Sequence, residues 1–290
     1  MKSMITGIAA LAAFGVLPAW SQEDAPVARE QPSAEAAPVT NEVKAGGEGT
    51  PLPDGVTAGE WFRFHDGTPE FFKRFLSYHA YKNRQPSSRV WKIQEDGTLY
   101  QCPYHLNGSG RGKGASERSF LVSADKSFGD FELEVVMKFG ASGGGTHIYY
   151  RADPEDKKPF VKGFEYQVTH PDIDIEKPKH RTGALSDILE PMVDTKSLMK
   201  RDDWNTMKIR AIGNVIEHYL NGTLVLRFDI TTDAFKEAVA GSRRGTREGW
   251  GQLPEGSIGI GDSGLRGAQM YYKEIRIRKL SGVSGNAPRG

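Results

Sequence analysis

From Trp61 onward the sequence alternates apolar and polar residues with a period of two and breaks every few residues at Gly, Asn or Asp. That is the pattern of short strands joined by tight turns. Its clearest run is Met207-Lys208-Ile209-Arg210-Ala211-Ile212, which turns at Gly213-Asn214 into residues 215–220 and turns again at Asn221-Gly222 into residues 223–230. Residues 131–139 predict a long strand, and residues 91–94 and 99–102 predict a hairpin about Asp96-Gly97. Shorter strands are expected over 61–65, 120–122, 147–151, 164–168, 256–260 and 270–280, the last alternating as Ile275-Arg276-Ile277-Arg278. Only residues 233–240 read as a helix, with Asp233 near its cap. Roughly a dozen short strands and almost no helix predict an all-β chain of two antiparallel sheets packed face to face. The 34 glycines among 290 residues suit the many turns that need positive φ.

The first 57 residues do not share this pattern. Lys2 precedes a charge-free stretch over residues 5–17, and Ala19-Trp20-Ser21 places small residues where a signal peptidase inspects the chain. Residues 1–21 are therefore expected to be a signal peptide, too short in its apolar part for a spanning helix, and the mature protein is expected to be periplasmic or secreted without inserting into a membrane. Residues 22–57 are rich in Glu, Ala, Pro and Gly and cannot bury enough surface to offset ordering, which predicts a disordered linker. The globular domain is expected over 58–281, followed by a flexible tail over 282–290. With 38 basic and 37 acidic residues the formal charge is +1, so no general field exists to hold nucleic acid. The single cysteine, Cys102, excludes an internal disulfide or a thiolate metal cluster within the chain.

Six blocks in order carry a resemblance to a known family. They are Phe128-Gly129-Asp130-Phe131-Glu132-Leu133, the strand over 143–151 ending in Arg151, Gly163-Phe164-Glu165-Tyr166-Gln167, Arg181-Thr182-Gly183-Ala184-Leu185, Trp204-Asn205, and Tyr219-Leu220-Asn221-Gly222. Together, over about residues 59–280, they resemble the 3-keto-disaccharide hydrolase family, whose fold is a concanavalin A-like jelly-roll sandwich. The chain differs from the family pattern at Ser186, where many members have tyrosine, at Gly144-Gly145-Thr146-His147, and over Ile258-Gly259-Ile260-Gly261-Asp262-Ser263-Gly264.

Glu165 and Gln167 lie two apart on a predicted strand, so both leave the same face while Tyr166 points to the other. A carboxylate beside an amide can act as a base and a hydroxyl-reading group, which suits a sugar. Arg151 ends the neighbouring strand, with His147 four residues before it on the same face; an arginine there can hold a carboxylate or an oxyanion. His170-Pro171-Asp172-Ile173-Asp174-Ile175-Glu176 gathers three carboxylates and an imidazole. The acidic part looks like the Glu-x-Asp-x-(x)-Glu strand of retaining β-glucanases, but Pro171 and the Lys177-Pro178-Lys179-His180 that follows argue for a loop. Asp172 is the residue best placed to bind a divalent cation, whereas Asp174 and Glu176 read as a solvated acidic loop neutralised by Lys177, Lys179, His180 and Arg181. Gly108 to Gly114 lacks the spacing of a phosphate loop and reads as a flexible turn. Ser242-Arg243-Arg244-Gly245-Thr246-Arg247 reads as a surface basic patch able to bind an anionic sugar, and Trp250, between glycines, as either an exposed ring for stacking on a sugar or a core anchor.

The family resemblance implies cleavage of a glycoside already oxidised to a ketone at carbon 3. The ketone acidifies the proton on carbon 2; a base removes it, and the enolate expels the group on carbon 1. In that reading Glu165 or His170 is the base, Arg151 or a cation near Asp172 is the electrophile, and Gln167, His147 and Trp250 contact the saccharide. A carbohydrate-binding sandwich without turnover is the rival, since such folds serve both purposes.

Overall fold

Glu132 and Glu134 alternate with Leu133, Val135 and Met137 along one strand, and this alternation assigns a core face and a solvent face to a whole sheet. The computed structural model describes residues 51–65, 67–68, 75–79, 82–84, 91–101, 119–125, 127–141, 143–153, 155–156, 161–262 and 269–282. The expected signal peptide, most of the linker, Cys102, the glycine run from 108 to 114 and the chain after 282 lie outside them.

The described strands are β1 (Thr57–Ala58), β2 (Phe62–His65), β3 (Phe75–His79), β4 (Lys82–Arg84), β5 (Trp91–Ile93), β6 (Leu99–Gln101), β7 (Ser119–Ser123), β8 (Phe131–Phe139), β9 (Gly145–Ala152), β10 (Phe164–Thr169), β11 (Asn205–Ile212), β12 (Val215–Leu220), β13 (Thr223–Asp229), β14 (Ser257–Asp262) and β15 (Met270–Ser281). Among the described residues, the short helices α1 (Thr195–Leu198) and α2 (Asp233–Ala240) and a 3-10 turn at Pro178–His180 interrupt them. The larger sheet runs β13-β12-β11-β8-β15-β6-β5, with β1 and β2 also paired to β15; the smaller runs β10-β9-β14-β7-β3-β4. All named pairings are antiparallel, as the jelly-roll reading requires. Sequence patterning did not reveal β3, β4 or α1. The cap of α2 is Thr232, whose hydroxyl accepts from the Phe235 amide, rather than Asp233.

The inner faces of the two sheets share one core. Leu133, Val135 and Met137 from β8 and Met207 and Ile209 from β11 meet Ile148, Tyr150, Phe164, Tyr166 and Val168 of the smaller sheet. On the outer face of the larger sheet, Glu132 is fully buried and receives Lys208 at 3.0 Å, Arg210 at 2.9 Å and Arg278 at 2.5 Å. Burial opposes its ionisation, yet the three cations outweigh burial and hold the carboxyl below its ordinary pKa.

Polar ties cross between the sheets. The Tyr166 hydroxyl donates to the Tyr219 carbonyl at 3.0 Å. His218 lies 2.9 Å from the Gly183 carbonyl through Nδ1, which can therefore only donate there, so Nε2 accepts the Tyr150 hydroxyl at 2.8 Å. Arg151 spans from β9 to the far sheet, its Nη2 donating to the carbonyls of Gly129 and Gly213 at 3.0 and 2.8 Å. Burial lowers the pKa of His218 to about 4. The unfolded chain therefore binds a proton between about pH 6.5 and 4 that the folded chain does not, and stability falls as pH drops through that window by up to roughly 3 kcal/mol. Thermal unfolding of wild type and His218→Gln should show the wild type losing more of its midpoint between pH 6.5 and 4 than the variant; parallel pH profiles would remove His218 as the cause.

Candidate active site

β10 and β9 pair so that Gln167 stands opposite His147 and Glu165 opposite Tyr149. Period two then sends these four side chains to the outer face, and Phe164, Tyr166, Ile148 and Tyr150 to the core. Above them lies a hollow of about 630 Å³ lined by His147, Glu165, Gln167 and Thr169, within the usual range for small-molecule sites. Glu165, Gln167 and His147 thus converge on one hollow.

A strap formed by residues 182–189 lies along β10, which would otherwise be a bare edge. Gly183 N and Gln167 N bond the carbonyls of Gln167 and Ala184, and Ser186 N bonds the Glu165 carbonyl at 3.0 Å. Thr182 locks the strap, its hydroxyl accepting from the Thr169 amide and donating to the Thr169 carbonyl, each at 2.9 Å. Gly183 sits at φ +88° with Val225 where a Cβ would project, which explains the Thr-Gly-Ala-Leu run physically. The strap delivers Ser186 and Asp187 to the hollow.

The polar groups on the sheet form a directed chain. Thr169 donates its hydroxyl proton to the His180 carbonyl at 3.0 Å, so toward Gln167 Nε2, 3.2 Å away, it can only accept. That orients the amide and turns Gln167 Oε1 toward Ser186 Oγ at 3.0 Å and His147 Nε2 at 2.8 Å. An amide oxygen only accepts, so His147 carries its proton on Nε2 and leaves Nδ1 facing the Tyr149 hydroxyl at 3.4 Å. The Nε2–H is 3.8 Å from Glu165 Oε2.

Glu165 is 3% exposed, and a carboxylate that deep needs a cation. Arg244 supplies it, with Nη2 at 2.5 Å from Oε1. The loop carrying Arg244 is fixed by turns: Arg244 N bonds Ser242 Oγ, Arg247 N bonds the Arg244 carbonyl, and a Cβ at Gly245 would strike the Val239 carbonyl at 2.5 Å. Arg243 and Arg247 line the same hollow, Arg243 bonding Asp187 at 3.2 Å. The basic run is thus a wall of the site. His180, from the 3-10 turn, faces Asp187 with Nε2 at 3.8 Å from Oδ1, and burial lowers its pKa below the ordinary histidine value. A neutral imidazole oriented by a carboxylate can accept a proton.

The remaining sequence candidates lie elsewhere. Arg151 has φ +46° where β9 and β14 slip register, which breaks the alternation and turns its guanidinium to the inter-sheet tie rather than the hollow. His170 packs its ring on Phe139 at 4.7 Å, and its Nδ1 accepts the Asp172 amide at 3.1 Å. It lines a neighbouring hollow. Asp172 bonds Arg201 near the surface, and among the described residues no group of three His, Cys, Asp or Glu is gathered to hold a metal, so the cation reading of Asp172 does not fit. Trp250 is 6% exposed and meets Phe164 edge-on at 5.2 Å; it anchors the arginine loop to the core and is not a stacking surface. Residues 172–176 form a loop, as Pro171 and Lys177-Pro178 suggested, so no glucanase-type carboxylate strand exists. Asp174 and Glu176 nevertheless line the hollow, as do His180 and Ser186, to which the sequence pattern assigns no role, and the arginines of the basic run.

The assignment of His147 is directly measurable. NMR of nitrogen-labelled protein at a pH where the ring is neutral should show the proton on Nε2 and a bare Nδ1; the opposite tautomer would break the chain from Thr169 through Gln167.

Comparison with known proteins agrees with the fold. No curated protein matches the chain. Two solved structures from Parabacteroides distasonis, both named as candidate glycosyl hydrolases, share the architecture. One aligns with a TM-score of 0.59 at 17% identity over 76% of this chain and 94% of its own. The other aligns at 0.55 and 18% identity over 76% of this chain and all of its own. The model of the 3-keto-alpha-glucoside-1,2-lyase-like domain matches residues 51–278. With the six sequence blocks and the sandwich already in view, that match over most of its length makes this chain a member of the 3-keto-disaccharide hydrolase family.

Proposed function

We propose that the protein cleaves glycosides carrying a ketone at carbon 3, in the hollow above β9 and β10. The observation that carries this reading is the convergence of Glu165, His147 and Gln167 on one sheet face beneath Arg244. Elimination needs a base at carbon 2, a cation for the enolate oxygen and a proton donor for the departing oxygen. Glu165 is the base. Arg244 shares its guanidinium between Glu165 and the carbon-3 oxygen, where negative charge develops. The proton taken by Glu165 passes to the departing carbon-1 oxygen; His180, neutral and oriented by Asp187, takes a proton from the water that adds, and Gln167 with Ser186 reads a sugar hydroxyl. Water then adds to the unsaturated sugar. Arg244 takes the electrophile role that Arg151 holds in the sequence reading, because Arg151 is occupied by the sheet-to-sheet tie. Export to the periplasm or outside the cell is part of the same proposal, supported by the Lys2-led apolar segment and Ala19-Trp20-Ser21.

Purified protein should degrade a 3-keto-glucoside and leave the parent glucoside intact; equal cleavage of both would reject elimination. Glu165→Gln should lower kcat by about 10²- to 10⁴-fold and, because it takes the counter-charge from the buried Arg244, lower the thermal midpoint while the protein stays folded at assay temperature. A folded Glu165→Gln variant with full turnover would remove Glu165 from the chemistry, and tight saccharide binding without turnover of any keto-sugar would select a binding module instead.

A further inference from the structure

The outer face of the larger sheet, across the core from the hollow, changes character along its length. At one end its cations meet carboxylates: Lys208, Arg210 and Arg278 on Glu132, Arg276 on Glu134, and Arg227 on Glu217. At the other end the register lines up Lys92, Tyr100, Tyr271 and Lys138 on the adjacent strands β5, β6, β15 and β8. Tyr100 and Tyr271 stack with their ring centroids 4.8 Å apart. Trp204, just before β11, extends the row. Lys138 Nζ lies 4.8 Å from its ring and 5.4 Å from that of Tyr271, and Lys273 Nζ lies 5.8 Å from the Trp204 ring. Among the described residues no carboxylate forms an ion pair with Lys92, Lys138 or Lys273. Asp96 is within the field of Lys138, but its carboxylate is committed to the Thr98 amide and hydroxyl at 2.9 and 2.7 Å.

Lysines interleaved with aromatic rings suit a ligand that repeats negative charges and apolar ring faces along its length. We infer that this strip binds an acidic polysaccharide and holds the protein on the polymer, while the hollow on the opposite sheet stays open. Strands stand about 4.8 Å apart, close to the advance of one pyranose unit along an extended glycan. A chain laid across the strands therefore meets about one side chain of the row per sugar. The carbon–hydrogen face of a sugar packs on tyrosine or tryptophan, and a carboxylate or sulfate accepts from a lysine ammonium. With a formal charge of +1 the chain offers no wider field beyond the strip, which favours a glycan over a nucleic acid. The inference does not depend on the chemistry proposed for the hollow.

Native electrophoresis through gels containing polygalacturonate, dextran sulfate or uncharged dextran, each compared with a polymer-free gel, tests this. Wild type should be retarded by at least one of the acidic polymers and not by dextran; which acidic polymer retards it more identifies carboxylate or sulfate as the recognised group. Lys92→Gln, Lys138→Gln and Lys273→Gln together should weaken that binding about tenfold or more. Lys179→Gln, Lys236→Gln and Lys279→Gln, an equal change of charge away from the strip, should leave it nearly intact. Should the first triple variant fail to fold, Lys92→Gln with Lys273→Gln, both at exposed positions, should still show a clear loss. The inference is overturned by no retardation in either acidic polymer, by equal retardation in dextran, or by equal losses in the two triple variants. It is overturned equally if Arg243→Gln with Arg247→Gln abolishes binding while the lysine variant keeps it, or if single-stranded DNA binds as tightly as the acidic glycans.

Discussion

A carboxylate buried in the middle of a sheet is unstable without a counter-charge, and the pairing of Glu165 with Arg244 is the interaction around which the site is built. It ties β10 to a loop far along the chain. That loop is held in turn by Trp250 in the core and by close turns at Ser242 and Gly245, so the wall of the hollow is as firmly placed as its floor. Below the pair, the sheet supplies a row of polar groups whose donor and acceptor roles are fixed from one end. One consequence is that His147 commits its Nε2 proton to Gln167 Oε1 and leaves its lone pair on Nδ1.

The sandwich beneath serves this arrangement by refusing to slide. A one-residue slip of β10 against β9 would send Glu165 into the core and Tyr166 out, and several ties resist it: the strap over 182–189, the Tyr150–His218 contact, and Arg151 clamped on two carbonyls of the opposite sheet. The outer face of the larger sheet carries the ladder of charges centred on Glu132. It stiffens the support and lies on the other side of the core from the hollow.

Most of the fold was legible because period two reports burial directly. The meander from 205 to 229, the long strand at 131–139, and the shared face of Glu165 and Gln167 follow from alternation alone; which face of the sheet that is does not. What alternation cannot report is where the chain departs from it. Arg151 takes a left-handed φ at a register slip, and no neighbouring residue announces this. The role of Arg244 depends on a contact across the fold, so its Arg-rich run reads locally as solvated surface. His170 and His180 are chemically alike in sequence; only the course of the loop decides that the second faces the hollow and the first its neighbour. Trp250 between glycines left both exposure and core anchoring open, and the glycines serve turns that let the ring sink into the core.

Removal of a proton from carbon 2 is the step that separates this chemistry from ordinary glycoside hydrolysis, and it leaves an isotopic trace. A 3-keto-glucoside bearing deuterium at carbon 2 should react several-fold more slowly in kcat/KM than its protium form, with the label lost to solvent. Turnover at an unchanged rate, with the deuterium retained at carbon 2 of the product, would contradict a base acting there and with it the role given to Glu165.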